Sequence, residues 1–219
     1  MKLSKSVIIL FVLLFIFQNA FSQVGKRRNQ IELYAGLGLP LAPDAFKDYY
    51  KTGISLHGQY VLFPTPKLGI SFGVGYEIFT VDNDAIKNDF LGSFTNFDIS
   101  VEGNANVTEI SVGVRPYLSS PESNMQFFLF GMGTYNFLKT DIKVKYSGME
   151  YDYYTGTYYT VEGEEDFKND DDKFGASIGA GIETPMGESM NLIFQGLYRF
   201  IFTEDETTSF LGITAGVIF

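Results

Sequence analysis

The chain has 219 residues, 45% of them hydrophobic and 19% charged, with 22 Phe, 14 Tyr, 23 Gly, no Cys, no Trp and a formal charge of -10. That length suits one sizeable core rather than two domains, and the lack of Cys excludes disulfides, thiolate zinc sites and iron–sulfur clusters. The acidic balance, with no cluster of Lys and Arg, excludes nucleic acid as a partner, because binding phosphates requires concentrated positive charge.

The N-terminus has the three parts of a secretory signal peptide: basic Lys2 and Lys5, an unbroken apolar run from Val7 to Phe17, and small residues at Ala20 and Ser22. The run is too short for a membrane-spanning helix, which needs about 20 apolar residues. Residues 1–22 are therefore expected to be removed before Gln23, leaving 23–219 as a single domain. The removed segment carries two Lys and no acid, which takes the formal charge from -10 to -12.

From there on the chain alternates with a period of two, the pattern of strands with two unlike faces. The first segment, Gln30 to Leu39, sets Ile31, Leu33, Ala35, Leu37 and Leu39 against Glu32, Tyr34, Gly36 and Gly38. The second, Thr52 to Phe63, sets Ile54, Leu56, Tyr60 and Leu62 against Gly53, Ser55, His57 and Gln59. The third, Leu68 to Thr80, is the cleanest, with Phe72, Val74 and Tyr76 opposite Ser71, Gly73, Gly75 and Glu77. The fourth spans about Thr108 to Leu118, after a slip of phase at Gly103 to Asn106 that reads as a bulge or turn. The fifth begins at Gln126 and is apolar on both faces through Phe127-Phe128-Leu129-Phe130. Phe128, Phe130 and Met132 are assigned to its apolar face, because Gly131, Gly133 and Tyr135 then match the small-residue face of the other strands. Lys173 to Thr184, Asn191 to Phe202 and Phe210 to Phe219 complete eight.

The second face is mostly Gly and Ser, which suits a crowded interior and makes the continuous Leu, Ile, Val, Phe and Tyr face the outer one. So apolar an exterior is tolerable in lipid, where every backbone group must be paired internally and the sheet must close. The expected fold is an all-β, eight-stranded antiparallel up-and-down transmembrane barrel. Connections alternate short (Pro64 to Lys67, Ser119 to Asn124, Pro185 to Ser189) with long (Pro40 to Lys51, Val81 to about Val107, about Lys139 to Asp172, and Thr203 to Ser209). Short turns mark the periplasmic end and long ones the outside.

The closing stretch, Leu211 to Phe219, alternates and ends on an aromatic. It resembles the C-terminal signal by which outer-membrane barrels are presented to their assembly machinery, with Phe219 as the terminal aromatic. In architecture the mature chain resembles the OmpA/OmpX-like eight-stranded barrels and the PorT-like barrel family of Bacteroidota. The resemblance implies a cell outer membrane location, contact with outer-membrane lipid and the barrel assembly machinery and, for the PorT-like case, a link to a secretion apparatus.

Projected into the barrel, the inward charges form two levels: Glu32, Arg115 and Glu183 near the periplasmic end, and Glu77, Glu109 and Arg199 near the outer end. One Arg between two carboxylates is either a gate or a structural plug. The plug is favoured, because side chains just fill an interior of eight strands and buried charges must be paired. His57, the sole histidine, points inward beside Ser55 and Gln59; a hydrogen-bonded interior role is favoured over a Ser–His hydrolase. The stretch from Lys139 to Asp172, rich in Tyr and carboxylates, reads as a solvated loop in preference to a calcium site. Ile142 to Tyr146 is expected to pair with Tyr158 to Glu162, and loop 139–172 offers a surface for extracellular protein or glycan contact. The reading is a monomer without catalytic role, metal or cofactor, acting structurally or by surface interaction. Alternatives are a secretion-apparatus component, a narrow channel, a lipid-modifying enzyme and a soluble lipocalin-like binder.

Overall fold

Alternating large apolar and small or polar residues favour the extended state, in which successive side chains leave opposite faces of the ribbon. The computed structural model describes residues 29–91, 97–120, 122–187, 190–203 and 206–219; the expected signal peptide and its cleavage site lie outside the described residues. Eight strands follow in chain order: β1 (Gln30–Ala42), β2 (Gly53–Thr65), β3 (Leu68–Thr80), β4 (Phe97–Pro116), β5 (Gln126–Asp152), β6 (Thr157–Met186), β7 (Met190–Phe202) and β8 (Thr207–Ile218). Each pairs antiparallel with the next, and β8 pairs back onto β1 from Ile218 opposite Glu32 to Ser209 opposite Ala42, closing the ring of hydrogen bonds. A closed ring satisfies its backbone groups without leaving an edge in the wall.

The wall is apolar outside. Ile54 is 64% exposed, Val74 60% and Ile213 58%, whereas the alternate residues Ser55, Glu77 and Thr214 are buried. The interior is layered. At the end with the short turns, Val61, Phe63, Tyr117, Phe128, Phe130, Met132, Ile193, Leu197 and Ile218 form one apolar cluster. At the opposite end Phe79, Val107, Ile201 and Phe210 form a second. The charged residues lie among these clusters: Arg115 stands against Phe128 of the first, and Arg199 against Phe210 of the second.

Two short helices sit at the long-loop end, inside connections expected to be irregular. Helix α1 (Asp44–Tyr49) places Phe46 over the second cluster, with ring centroids 4.9 Å from Phe79 and 6.5 Å from Phe210. Helix α2 (Asn83–Leu91) is started by Asp82, whose Oδ1 accepts from the backbone N–H groups of Asp84 at 3.2 Å and Ala85 at 3.3 Å. Such a carboxylate satisfies donors that the first helical turn leaves unpaired.

Three expectations are corrected. The face of β5 is the reverse of the one expected: Phe128, Phe130 and Met132 point inward and are buried, while Phe127 and Leu129 are 48% and 46% exposed. The cause lies on the neighbouring strand. Phe128 is opposite Gly181 and Phe130 opposite Gly179, and a Cβ at Gly181 would stand 2.3 Å from Phe128 Cζ and one at Gly179 2.5 Å from Phe130 Cζ. The inward glycines of β6 make the space that the inward rings of β5 occupy.

No bulge interrupts β4 at Gly103 to Asn106; the strand runs on, with Asn104 opposite Thr80 and Gly103 opposite Ile142. The apparent slip arises because the apolar side changes over. Ile110, Val112 and Val114 are exposed on the outer face, whereas Val107 and Val101 are buried on the other.

The segment from Lys139 to Asp172 is strand rather than loop. β5 and β6 continue beyond the wall as a hairpin with unbroken pairing to Asp152 opposite Thr157, and β4 joins its flank from Phe97. The register differs from the expected one by five residues, with Tyr146 opposite Gly163 and Ile142 opposite Phe167. Gly163 fixes it: a Cβ there would stand 2.2 Å from Tyr146 Cζ, so the tyrosine ring lies where a side chain is missing. The tip turns through Tyr153 to Gly156. Asp152 Oδ1 accepts from Tyr154 N at 2.8 Å, and Gly156 takes the left-handed φ of 72° that closes the turn.

Candidate functional site

Six strands deliver the interior charges, because parity along each strand sends Glu32, His57, Glu77, Glu109, Arg115, Glu183 and Arg199 to the same side of the wall. All seven are buried. At the lower level Arg115 forks onto Glu32, with Nη1 donating to Oε1 at 2.5 Å and Nη2 to Oε2 at 2.8 Å. Nη2 also donates to Gln59 Oε1 at 3.1 Å, and Nη1 lies 3.5 Å from Glu183 Oε1. Tyr117 donates its hydroxyl to Glu183. The guanidinium lies 4.5 Å from the centroid of the Phe128 ring, one of those whose orientation is corrected above. Two parallel charge-assisted bonds and an aromatic face satisfy the planar cation on several sides.

At the upper level Arg199 donates from Nη1 to Glu77 and from Nη2 to Glu109, each at 3.2 Å, and stands 5.1 Å from the Phe210 centroid. His57 Nδ1 lies 3.5 Å from Glu109 Oε1. Glycine makes this contact possible. β3 separates the two residues, and a Cβ at Gly75 would stand 2.3 Å from His57 Nδ1 and 2.9 Å from Glu109 Cγ.

Tyr34 joins the levels. Its hydroxyl donates to Gln59 Oε1 at 3.0 Å, and its ring stacks on His57 with centroids 5.1 Å apart at an interplanar angle of 17°. Contacts therefore run from Glu183 through Arg115, Gln59, Tyr34 and His57 to Glu109 and Arg199. Neither Tyr34, Tyr117 nor Gln59 was singled out as a link in the sequence. Their inward parity was visible, but their height relative to the charges depends on the stagger between strands. Among the described residues no hydrogen bond joins Ser55 to the His57 ring. Phe219, the terminal aromatic, is 55% exposed, and its backbone pairs with Ile31, N to O at 2.9 Å.

The hairpin has different chemistry. On the face continuous with the outer wall, opposite charges stand across the strand pair, Lys139 opposite Asp170, Asp141 opposite Lys168 and Lys143 opposite Asp166. Lys143 Nζ also donates to Glu164 Oε1 at 2.5 Å, which raises the Lys143 ammonium and lowers the Glu164 carboxyl from their usual pKa ranges. The other face carries Ile142, Val144, Tyr146, Val161 and Phe167. Tyr153 and Tyr154 at the tip are 89% and 101% exposed, and Tyr151 and Tyr158 pack together with centroids 5.0 Å apart.

No protein-family model matches the chain, and no curated protein matches it in sequence. Solved structures resemble it in form. Neisserial surface protein A is 10% identical with a TM-score of 0.49, over 87% of this chain and 95% of that one. A major outer membrane protein from Thermus thermophilus is 12% identical with a TM-score of 0.49, over 88% and 99%. The attachment invasion locus protein Ail of Yersinia pestis, in complex with a heparin analogue, is 10% identical with a TM-score of 0.47, over 88% and 100%. Likeness at this level is one of general form, and carries neither ligand nor activity from those proteins to this one.

Proposed function

We propose that the chain is an integral outer-membrane β-barrel with a structural or surface-interaction role, exercised through the hairpin of β5 and β6, and without catalytic activity. One observation carries the reading: outward Leu, Ile, Val and Phe side chains surround the barrel while the charges face inward and are paired. In water such a surface would be a large exposed apolar patch; in lipid it is the stable arrangement. The signal peptide expected at 1–22 would fit export. The interior, filled by two apolar clusters and by paired buried charges, favours a plug over a channel.

Heat-modifiable mobility tests the reading. The outer-membrane fraction is run on a detergent gel with and without boiling, and a shift in mobility is the expected result. No shift, with the protein free in the periplasm, would overturn it and favour a soluble barrel with an internal ligand. Conductance in a planar bilayer is expected to stay at the background of the lipid; defined channel openings would replace the plug by a pore.

A further inference from the structure

The sheet above the barrel has two edges, and they are treated differently. On the β4 side the edge is covered: Val101 N donates to Asn83 Oδ1 at 2.8 Å, Val81 N donates to Gly103 O at 3.0 Å, and Lys87 of α2 reaches Asp98 at 3.1 Å. On the other side, β6 pairs with β7 only from Gly175 onward. From Thr157 to Asp172 its far side pairs with no strand among the described residues. Unpaired strand edges are sites of strand addition, and proteins ordinarily cover them, as α2 covers this sheet's other edge.

We propose that the free edge of β6, Thr157 to Asp172, is a docking strand for an extended, Lys- or Arg-rich segment of a partner protein, which joins the sheet by backbone pairing. The inference rests on the reading that the hairpin stands outside the membrane, and it adds the class of partner. Charge selects the occupant. Between Thr157 and Asp172 stand seven carboxylates and one Lys. Glu162, Glu165 and Asp170 form no ion pair among the described residues, whereas Glu164, Asp166 and Asp171 are already held by Lys143 or Lys173. A second copy docking edge to edge would set this charge against itself. A basic strand would meet the three spare carboxylates while its amides take the open backbone groups.

The experiment uses the full chain folded in lipid nanodiscs and a ten-residue synthetic peptide of Lys, Thr and Val that carries Lys on both faces, since Glu162 and Asp170 stand on one face of β6 and Glu165 on the other. A second peptide is N-methylated along one edge, keeping its charge and losing its donors. The first peptide is expected to bind and to slow amide exchange along Tyr158 to Asp172; the methylated one is expected to bind at least about tenfold more weakly, having lost several pairing bonds. The triple variant Glu162→Gln, Glu165→Gln, Asp170→Asn is expected to weaken binding by about tenfold, as three exposed pairs of a few-fold each. Equal binding of both peptides would show attraction by charge alone and overturn the docking strand, as would no binding or no protection along β6. Boiled and unboiled samples of the same preparation separate this outcome from the membrane reading. Peptide binding without a heat shift would remove the membrane and keep the edge, whereas a heat shift without binding would remove the edge alone.

Discussion

The barrel wall and the hairpin that rises from it are built from the same strands, yet they place their apolar side chains on opposite faces. Along β4 the outward residues Ile110, Val112 and Val114 give way to Thr108, Asn106 and Asn104, while the buried positions change from Glu109 and Ser111 to Val107 and Val101. The strand carries this change of face without breaking its pairing. Backbone hydrogen bonding and face polarity are thus separable: the ladder propagates through both regions, and the surroundings decide which side chains are turned out.

The sharpest way to break this contrast is to remove a buried charge from the wall and compare it with an exposed one on the hairpin. Arg199→Met leaves Glu77 and Glu109 without their cation, and breaking a buried pair costs about 3–5 kcal/mol. The temperature at which the folded band is lost on a detergent gel should fall markedly, and an unchanged temperature would count against the paired upper level. The same measurement on Lys168→Met, whose Nζ lies 3.8 Å from Asp141 at the surface, should show little change, since exposed pairs contribute roughly 0–1 kcal/mol.

A polar substitution on the outer face should separate the regions next. Val112→Arg puts a charge on the apolar belt, with an expected cost of about 2–4 kcal/mol if the position lies near the membrane midplane. Ser147→Arg, on the same sheet face of the hairpin, should be almost neutral in urea titration of the folded protein. Equal effects at the two positions would mean that they share one solvent.

A smaller loss is expected from filling the glycine space that decided the face of β5. Gly181→Ala brings a Cβ to within 2.3 Å of Phe128 Cζ and 2.7 Å of the Phe194 carbonyl oxygen. Overpacking of this kind costs about 1–3 kcal/mol. Gly196→Ala, where nothing lies within 4 Å of the added carbon, serves as the control.

The smallest effect is one of pH and is read on the hairpin. Glu164 is held below its usual carboxylate range by Lys143, so its contribution is present above the unfolded value of about 4.3 and is lost as pH falls through the lowered one. Lys143 is raised, so its contribution holds below about 10.4 and disappears as pH rises through the raised value. Amide exchange along Lys143 to Glu164 is expected to lose protection at the acid end while the amides of β7 and β8 keep theirs. Glu164→Gln should remove that difference.

Much of the wall was legible because the period of two is a local property. The inward position of Glu32, Arg115 and Arg199, and the outward position of Ile54 or Ile178, follow from counting residues along one strand. β5 was not legible in this way. Phe127 to Phe130 is apolar at every position, and only the glycines facing it from β6 say which rings go in. The hairpin was hidden for another reason: Asn169 to Asp172 has low strand propensity, and its extended form is held by partners on β5 far away in sequence.

The amino-acid sequence by itself determined the number of strands, their two-faced character and the acidic, tyrosine-rich nature of the longest connection, because alternation and composition need no knowledge of neighbours. Tertiary structure alone decided the face of β5, the register of Tyr146 on Gly163, the link through Tyr34 between the two charge levels, and which sheet edge stays open. Each of these depends on which residues stand side by side across strands, and that is set by the stagger of the closed ring.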